Sequence, residues 1–212
     1  MNHTKLFETI SNTIESLEIT EISEERKAIL EPLIDYLKDK IKTNKSIRLN
    51  FICTHNSRRS HLSQIWAQTM AAYYNINNVS CYSGGTEATA MFPKVGETLN
   101  NQGFKINKLS EENNPVYSIK FSENEPAIIA FSKQFSDDFN PASEFAAIMT
   151  CSSADKGCPM VFGCDERIAI TYEDPKKSDG TPQQTETYRK RSLQIATEMK
   201  FVFSSLKQKR NS

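Results

Sequence analysis

Cys53-Thr54-His55-Asn56-Ser57-Arg58-Arg59-Ser60 concentrates the reactive side chains of this chain in eight residues. Cys53 ends the apolar run Ile47-Arg48-Leu49-Asn50-Phe51-Ile52, and an amphipathic helix is predicted from about Ser60. A strand, a tight loop and a helix N-terminus in that order make an anion cradle, because loop N–H groups and the helix dipole favour negative charge there. The same field favours a thiolate over a thiol. Arg59 offers a planar, two-pronged contact to an oxyanion. Nucleophile, cradle and arginine together point to covalent attack on a tetrahedral oxyanion, phosphate or arsenate. The competing reading is a buried strand-end cysteine beside a surface arginine. The apolar strand before the motif and the serine after it favour the chemical reading.

A second group is Thr150-Cys151-Ser152-Ser153-Ala154-Asp155-Lys156-Gly157-Cys158-Pro159, which follows the apolar run Phe145 to Met149. The segment between the two cysteines reads as polar and flexible, and Pro159 stops a regular helix there. It can bring the two sulfurs together or deliver one of them elsewhere. Zinc binding by Cys151, Cys158 and Cys164 is disfavoured, since the spacing fits no common finger and no fourth ligand is evident. Cys81 falls on a predicted strand and reads as a core thiol; Cys164 has no assigned role, and His3 and His61 read as surface residues.

The Cys53 loop resembles that of the low-molecular-weight protein tyrosine phosphatases and of the arsenate reductases that share their fold. Cys151 and Cys158, followed by Pro159, resemble the redox pair of the thioredoxin-coupled arsenate reductases. Tyr172-Glu173-Asp174-Pro175 resembles the family's Asp-Pro loop, and Val79 to Ala88 its second strand and following turn. The resemblance spans about 46–207. It implies Cys53 as nucleophile, Arg59 as oxyanion clamp and Asp174 as general acid, with Thr54, His55, Asn56, Ser57, Arg58 and Ser60 forming the oxyanion-binding loop. Asn56 is expected to brace the loop in a left-handed conformation. Ser60 is expected to donate to the Cys53 sulfur or to cap the helix, and Arg58 to be a solvated rim charge or an addition to the positive field. Four features depart from the pattern. Arg58 stands where many members have a second cysteine, His55 replaces a common glycine, residues 111–144 are longer than the usual connection, and the first 45 residues have no counterpart in the minimal fold.

Phosphatase chemistry would place a phosphoryl group on Cys53 and release it to water. Arsenate reduction would pass the Cys53 adduct to a Cys151/Cys158 disulfide relay, with no bound cofactor and thioredoxin as external reductant. Only the second chemistry needs Cys151 and Cys158, which favours the reductase. A non-enzymatic redox or phosphate sensor is the third reading.

The elements that must position these groups are legible as well. At 212 residues the chain can hold one ample domain or a domain with an extension. With 38% hydrophobic and 25% charged residues it reads as a soluble globular protein. The 26 basic and 26 acidic residues cancel, giving no electrostatic argument for nucleic acid or membrane surfaces. No apolar run approaches a membrane span and no signal-peptide core opens the chain, so a cytoplasmic location is expected, where thiols stay reduced.

Leu6, Ile10, Ile14 and Leu17, then Ile22 to Ile41, recur at helical spacing. They predict two helices in a 1–45 N-terminal extension, broken near Glu18 to Ser23, with Ser23 as N-cap of the second. Their apolar stripes are expected to pack on the catalytic domain, 46–212, or on a second subunit as a homodimer. Strands are predicted near 48–53, 79–83, 144–150 and 168–171, with helices near 60–74, 93–102 and 185–206. Residues 116–121 and 127–131 suggest a hairpin or an added edge. Strands alternating with helices imply a three-layer α/β domain around a central parallel sheet, the low-molecular-weight phosphatase-like architecture.

Overall fold

The computed structural model describes residues 4–157 and 160–207. Cys158, Pro159 and His3 lie outside the described residues. The central sheet is built from β1 (Ile47–Cys53), β2 (Val79–Gly85), β6 (Phe145–Met149) and β7 (Cys164–Ala169), all parallel and ordered β2-β1-β6-β7. The two middle strands are buried almost throughout, as parallel strands covered on both faces must be.

Strand alternation divides the core in two. Leu49, Phe51, Ala146 and Ile148 face the large core, which is shared with the long helices. Ile52, Phe145, Ala147 and Met149 face a smaller cluster that contains Cys53, Cys151 and Ala154. Helical layers thus cover both faces, the three-layer arrangement expected.

Helix α3 (Arg59–Tyr73) follows β1 directly. Leu62, Ile65, Trp66, Thr69 and Met70 are buried, but so are Ser60, His61, Ser63 and Gln64, because the helix is wedged between the sheet and α6 (Gln184–Ser204). His61 is therefore not a surface residue. It is fully buried, with Nδ1 3.3 Å from Ser83 Oγ.

Two helices precede β1. They are α1 (Glu8–Ser16) and α2 (Glu24–Lys42), separated by a single 3-10 turn at Ile19–Glu21. Ser23 caps α2 by accepting from the Arg26 N–H at 3.2 Å. The stripes Ile10, Ile14, Leu30, Leu33, Ile34 and Leu37 enter the large core beside Met199, Val202 and Phe203 of α6. Of the two packing partners expected for these stripes, the same chain supplies the surface.

Between β2 and β6 run α4 (Pro93–Asn101) and a separate antiparallel sheet of β3 (Lys105–Lys108), β4 (Tyr117–Lys120) and β5 (Ile128–Ala130). The expected hairpin is present and gains β3 as a third strand. Past it, Gly85 N–H donates to Lys133 O and Phe135 N–H to Gly85 O, so residues 133–135 extend the far edge of β2. A Cβ at Gly84 would come within 2.4 Å of Phe135 Cα, so glycine is what lets the two backbones meet. The segment after Cys151, expected to be flexible, forms the short helix α5 (Ser152–Gly157). Its start is braced by the Ala154 N–H donating to Cys151 Sγ at 3.3 Å. Among the described residues no helix is long and apolar enough to cross a membrane.

Candidate active site

The loop from Thr54 to Arg58 joins β1 to α3 at the C-terminal edge of the sheet, where open parallel sheets place their sites. Its carbonyls are tied outward. Cys53 O accepts from Thr86 N–H (3.1 Å), Thr54 O from Glu87 N–H (2.8 Å) and Ser57 O from Phe92 N–H (3.0 Å). His55 O accepts from the hydroxyls of Ser132 (2.9 Å) and Thr89 (3.1 Å). In a trans peptide the N–H points opposite to the C=O. Each outward carbonyl therefore turns the next amide towards the concave side, which is what an oxyanion requires.

Asn56 fixes the bend. Its φ is 42°, the left-handed region that asparagine tolerates better than other side-chain-bearing residues. Its Oδ1 accepts from Lys133 N–H (3.0 Å) and its Nδ2 donates to Ser60 Oγ (2.8 Å). Ser60 Oγ in turn lies 3.1 Å from Cys53 Sγ. With Asn56 donating to it, Ser60 has its own proton available for the sulfur. It caps nothing; the residue before the helix is Arg58, whose side chain makes no cap.

Arg59 is 11% exposed at its side chain. Nη1 donates to Tyr172 O (2.9 Å) and Nη2 to Asp174 Oδ2 (2.6 Å), while Nε is buried without a hydrogen-bond partner among the described residues. A buried, unsatisfied guanidinium N–H beside a ring of amides suits an arriving anion. Asp174 Oδ1 accepts from Lys176 N–H (3.1 Å), so the carboxylate caps the turn Pro175–Ser178 and pairs with Arg59 at once.

Arg58 is not the expected solvated rim charge. Its Nε donates to Tyr188 OH (2.6 Å), its Nη2 to Asp179 Oδ2 (2.6 Å), and its guanidinium lies 4.1 Å from the centre of the Phe92 ring. It fastens the turn after Asp174 to α3 and α6. His55 Nδ1 stands 3.1 Å from Glu87 Oε2, without the alignment of a hydrogen bond.

Cys151 follows β6, and Thr150 N–H donates to Ile52 O at 2.7 Å, so Cys53 and Cys151 leave neighbouring strand ends. Cys53 is 3% and Cys151 1% exposed, in one cluster. Cys151 Sγ lies 3.4 Å from the hydroxyl of Thr54, the residue after Cys53. The fold thus gathers Cys53, the loop, Arg59, Asp174 and Cys151; Cys158 is outside the described residues. Tyr172 O, Lys133, Ser132 and Asp179 support the site without any signal in the local sequence. Each acts through a backbone atom or through a partner more than 70 positions away.

No family model matches the chain. Over 135 residues it is 24% identical to an arsenate reductase of Bacillus licheniformis, covering 63% of this chain and 78% of that protein. Two solved structures superpose with a TM-score of 0.50. One is a YwlE mutant from Bacillus subtilis, 14% identical, covering 77% of this chain and 100% of that one. The other is a low-molecular-weight phosphotyrosine phosphatase from Vibrio cholerae, 12% identical, covering 79% of this chain and 100% of that one. The chain thus has the fold of a low-molecular-weight phosphotyrosine phosphatase, and in sequence it resembles an arsenate reductase.

Proposed function

We propose that this chain is an arsenate reductase in which Cys53 is the nucleophile and Cys151 the first relay thiol. The observation that carries the reading is the placement of Cys151 beside the loop, in the same buried cluster as Cys53 and touching Thr54. Phosphate-ester hydrolysis through Cys53 does not need a second thiol there.

Arsenate would enter the ring of loop amides, with its oxygens on those N–H groups and on Arg59 Nε. The arginine fork is already occupied by Asp174 and Tyr172 O, so the anion competes for it and releases the Asp174 carboxyl towards the leaving oxygen. Ser60 donates to the Cys53 sulfur and supports its thiolate. The thiolate attacks arsenic and forms an S–As bond, while an As–OH group leaves as water with a proton that Asp174, freed from Arg59, has taken up from the arriving dihydrogen arsenate. The Cys151 thiolate then attacks the Cys53 sulfur. The S–As bond breaks with its electron pair staying on arsenic, which is reduced from As(V) to As(III) and departs as arsenite. The Cys158 thiolate attacks Cys151, frees Cys53 and leaves a Cys151–Cys158 disulfide. A dithiol protein of the thioredoxin type returns it to two thiols by exchange.

A second reading has its own support. Asp174 beside Arg59, at the mouth of a Cys53 loop, is also the pair that phosphate-ester hydrolysis through a Cys53 phosphoenzyme requires. One comparison separates them: arsenate-dependent NADPH oxidation with thioredoxin and its reductase, against aryl phosphate hydrolysis. For the reductase, Cys158→Ser should stop multiple turnover while slow aryl phosphate hydrolysis persists, and arsenate should join Cys151 to Cys158 in mass maps of the wild type. Normal arsenate turnover by that variant, or no arsenate-dependent disulfide, sinks the reductase reading.

A further inference from the structure

Arg26 belongs to α2, in the segment that precedes the phosphatase-like sheet, yet its side chain reaches the backbone that carries Asp174. Nε donates to Glu198 Oε1 (2.9 Å) and Nη2 to Glu198 Oε2 (2.7 Å), a two-pronged pair with a carboxylate that is 2% exposed. Nη1 donates to Thr171 O (3.2 Å), and the guanidinium lies 4.9 Å from the centre of the Tyr172 ring. Gln194 Nε2 adds a further donor to Glu198 Oε1 at 3.0 Å. The next carbonyl along, Tyr172 O, is the one that accepts from Arg59. An unbroken series of contacts therefore runs from Glu198 through Arg26 and residues 171–172 to the Arg59–Asp174 pair.

The same helix holds the other end of this segment. Asp165, at the start of β7, accepts from Lys40 Nζ (2.7 Å) and Tyr36 OH (3.2 Å). β7 is an edge strand, bonded to β6 on one side only within its sheet. An edge strand with one neighbour is the least restrained part of a sheet, and α2 holds it at Asp165 near its start and at Thr171 just past its end.

We infer that Arg26 is a positioning residue for Asp174, and that the N-terminal segment thereby belongs to the catalytic apparatus. This rests on Asp174 being the acid of the proposed reaction. The planar fork of Arg26, already seated on Glu198, can meet Thr171 O in one place only. That fixes where the polypeptide turns into the acid loop. Small misplacements of an acid are costly in rate, since proton transfer needs hydrogen-bond reach to the leaving oxygen.

The test uses the full chain in four forms: wild type, Asp174→Asn, the double variant Arg26→Gln/Glu198→Gln, and all three changes together. The double variant removes both charges, so no buried carboxylate is left unpaired. The readouts are the single-turnover rate of arsenate-dependent Cys53 thiol loss, the rate of phenyl phosphate hydrolysis, and Cys53 alkylation by iodoacetate. The double variant should slow the first two about tenfold when Asp174 is present and less than twofold when it is already Asn, with alkylation unchanged. Equal slowing in both backgrounds, no slowing, or a parallel fall in alkylation overturns the inference while leaving Asp174 as the acid. If Asp174→Asn alone changes neither rate, the acid assignment itself fails. Should the double variant not fold, Arg26→Lys keeps the charge without the fork, and a loss of about threefold with the same background dependence is expected; wild-type rates in it overturn the inference.

Discussion

Arg59 carries three separable tasks on one side chain. Two N–H groups hold the acid loop through Tyr172 O and Asp174, and a third, on Nε, is buried with no partner among the described residues. Lysine keeps the charge but cannot reproduce that division. Arg59→Lys should therefore lower turnover by at least about tenfold and raise KM for the oxyanion, read by steady-state kinetics; wild-type constants would remove Arg59 from the clamp. Asn56 and Ser60 could be understood from their neighbours because the motif constrains them locally: a tight bend needs a residue tolerant of positive φ, and a serine seven positions after the cysteine can reach its sulfur. His61 and Arg58 were not legible in the same way. Their surroundings come from Ser83, Lys133, Asp179 and Tyr188, and no local pattern announces which distant side chains will close over a helix start.

The strand, loop and helix that carry the motif could be located because an apolar run and a 3.6-residue stripe sit on either side of it. β3 escaped because Lys105-Ile106-Asn107-Lys108 offers one apolar residue and pairs only with β4. β7 begins earlier than its apolar end suggests, since Cys164 to Arg167 is polar or charged and is bound from α2 and α5 rather than buried. α5 was missed because a six-residue polar stretch between two cysteines has no periodicity to read. At this scale the support of the loop by its neighbouring strand can be tested. A Cβ at Gly85 would meet Glu87 O at 2.3 Å, and Asn56 N and Thr54 O at 2.7 Å, all backbone. Gly85→Ala should therefore push the loop out of register, with a loss of about 1–3 kcal/mol in denaturant melts and a larger proportional loss of activity than of stability. Full activity in a folded Gly85→Ala protein would mean that the loop does not lean on the end of β2.

Across the whole molecule, stability should depend on acidity through His61. Burial, reinforced by the nearby Lys133 cation, lowers its pKa to about 3 from the usual 6.5. Between those values the unfolded chain takes up a proton that the folded chain refuses. The contribution is therefore fully present above about pH 6.5 and is lost progressively as the pH falls towards 3. Going from pH 7 to pH 5 should cost about 2 kcal/mol from this group, measured by urea unfolding. His61→Gln should flatten that slope; an unchanged slope would assign the loss to other groups. The overall architecture was readable because alternating strands and helices leave few topologies. The joining of the N-terminal helices to this core was not, since an apolar stripe alone does not say which surface will cover it. That joining has a consequence in time. Cys53 is made early, but the groups that complete its surroundings lie as far along as Asp174 and Glu198. At ordinary synthesis rates of roughly 5–20 residues per second, about 7–30 s separate Cys53 from Glu198. During that interval the thiol sits on an unfinished chain, more open to oxidants than at the 3% exposure it has in the folded protein. A cell making this protein under peroxide stress would lose part of it on the ribosome, before any molecule had folded far enough to use its cysteine.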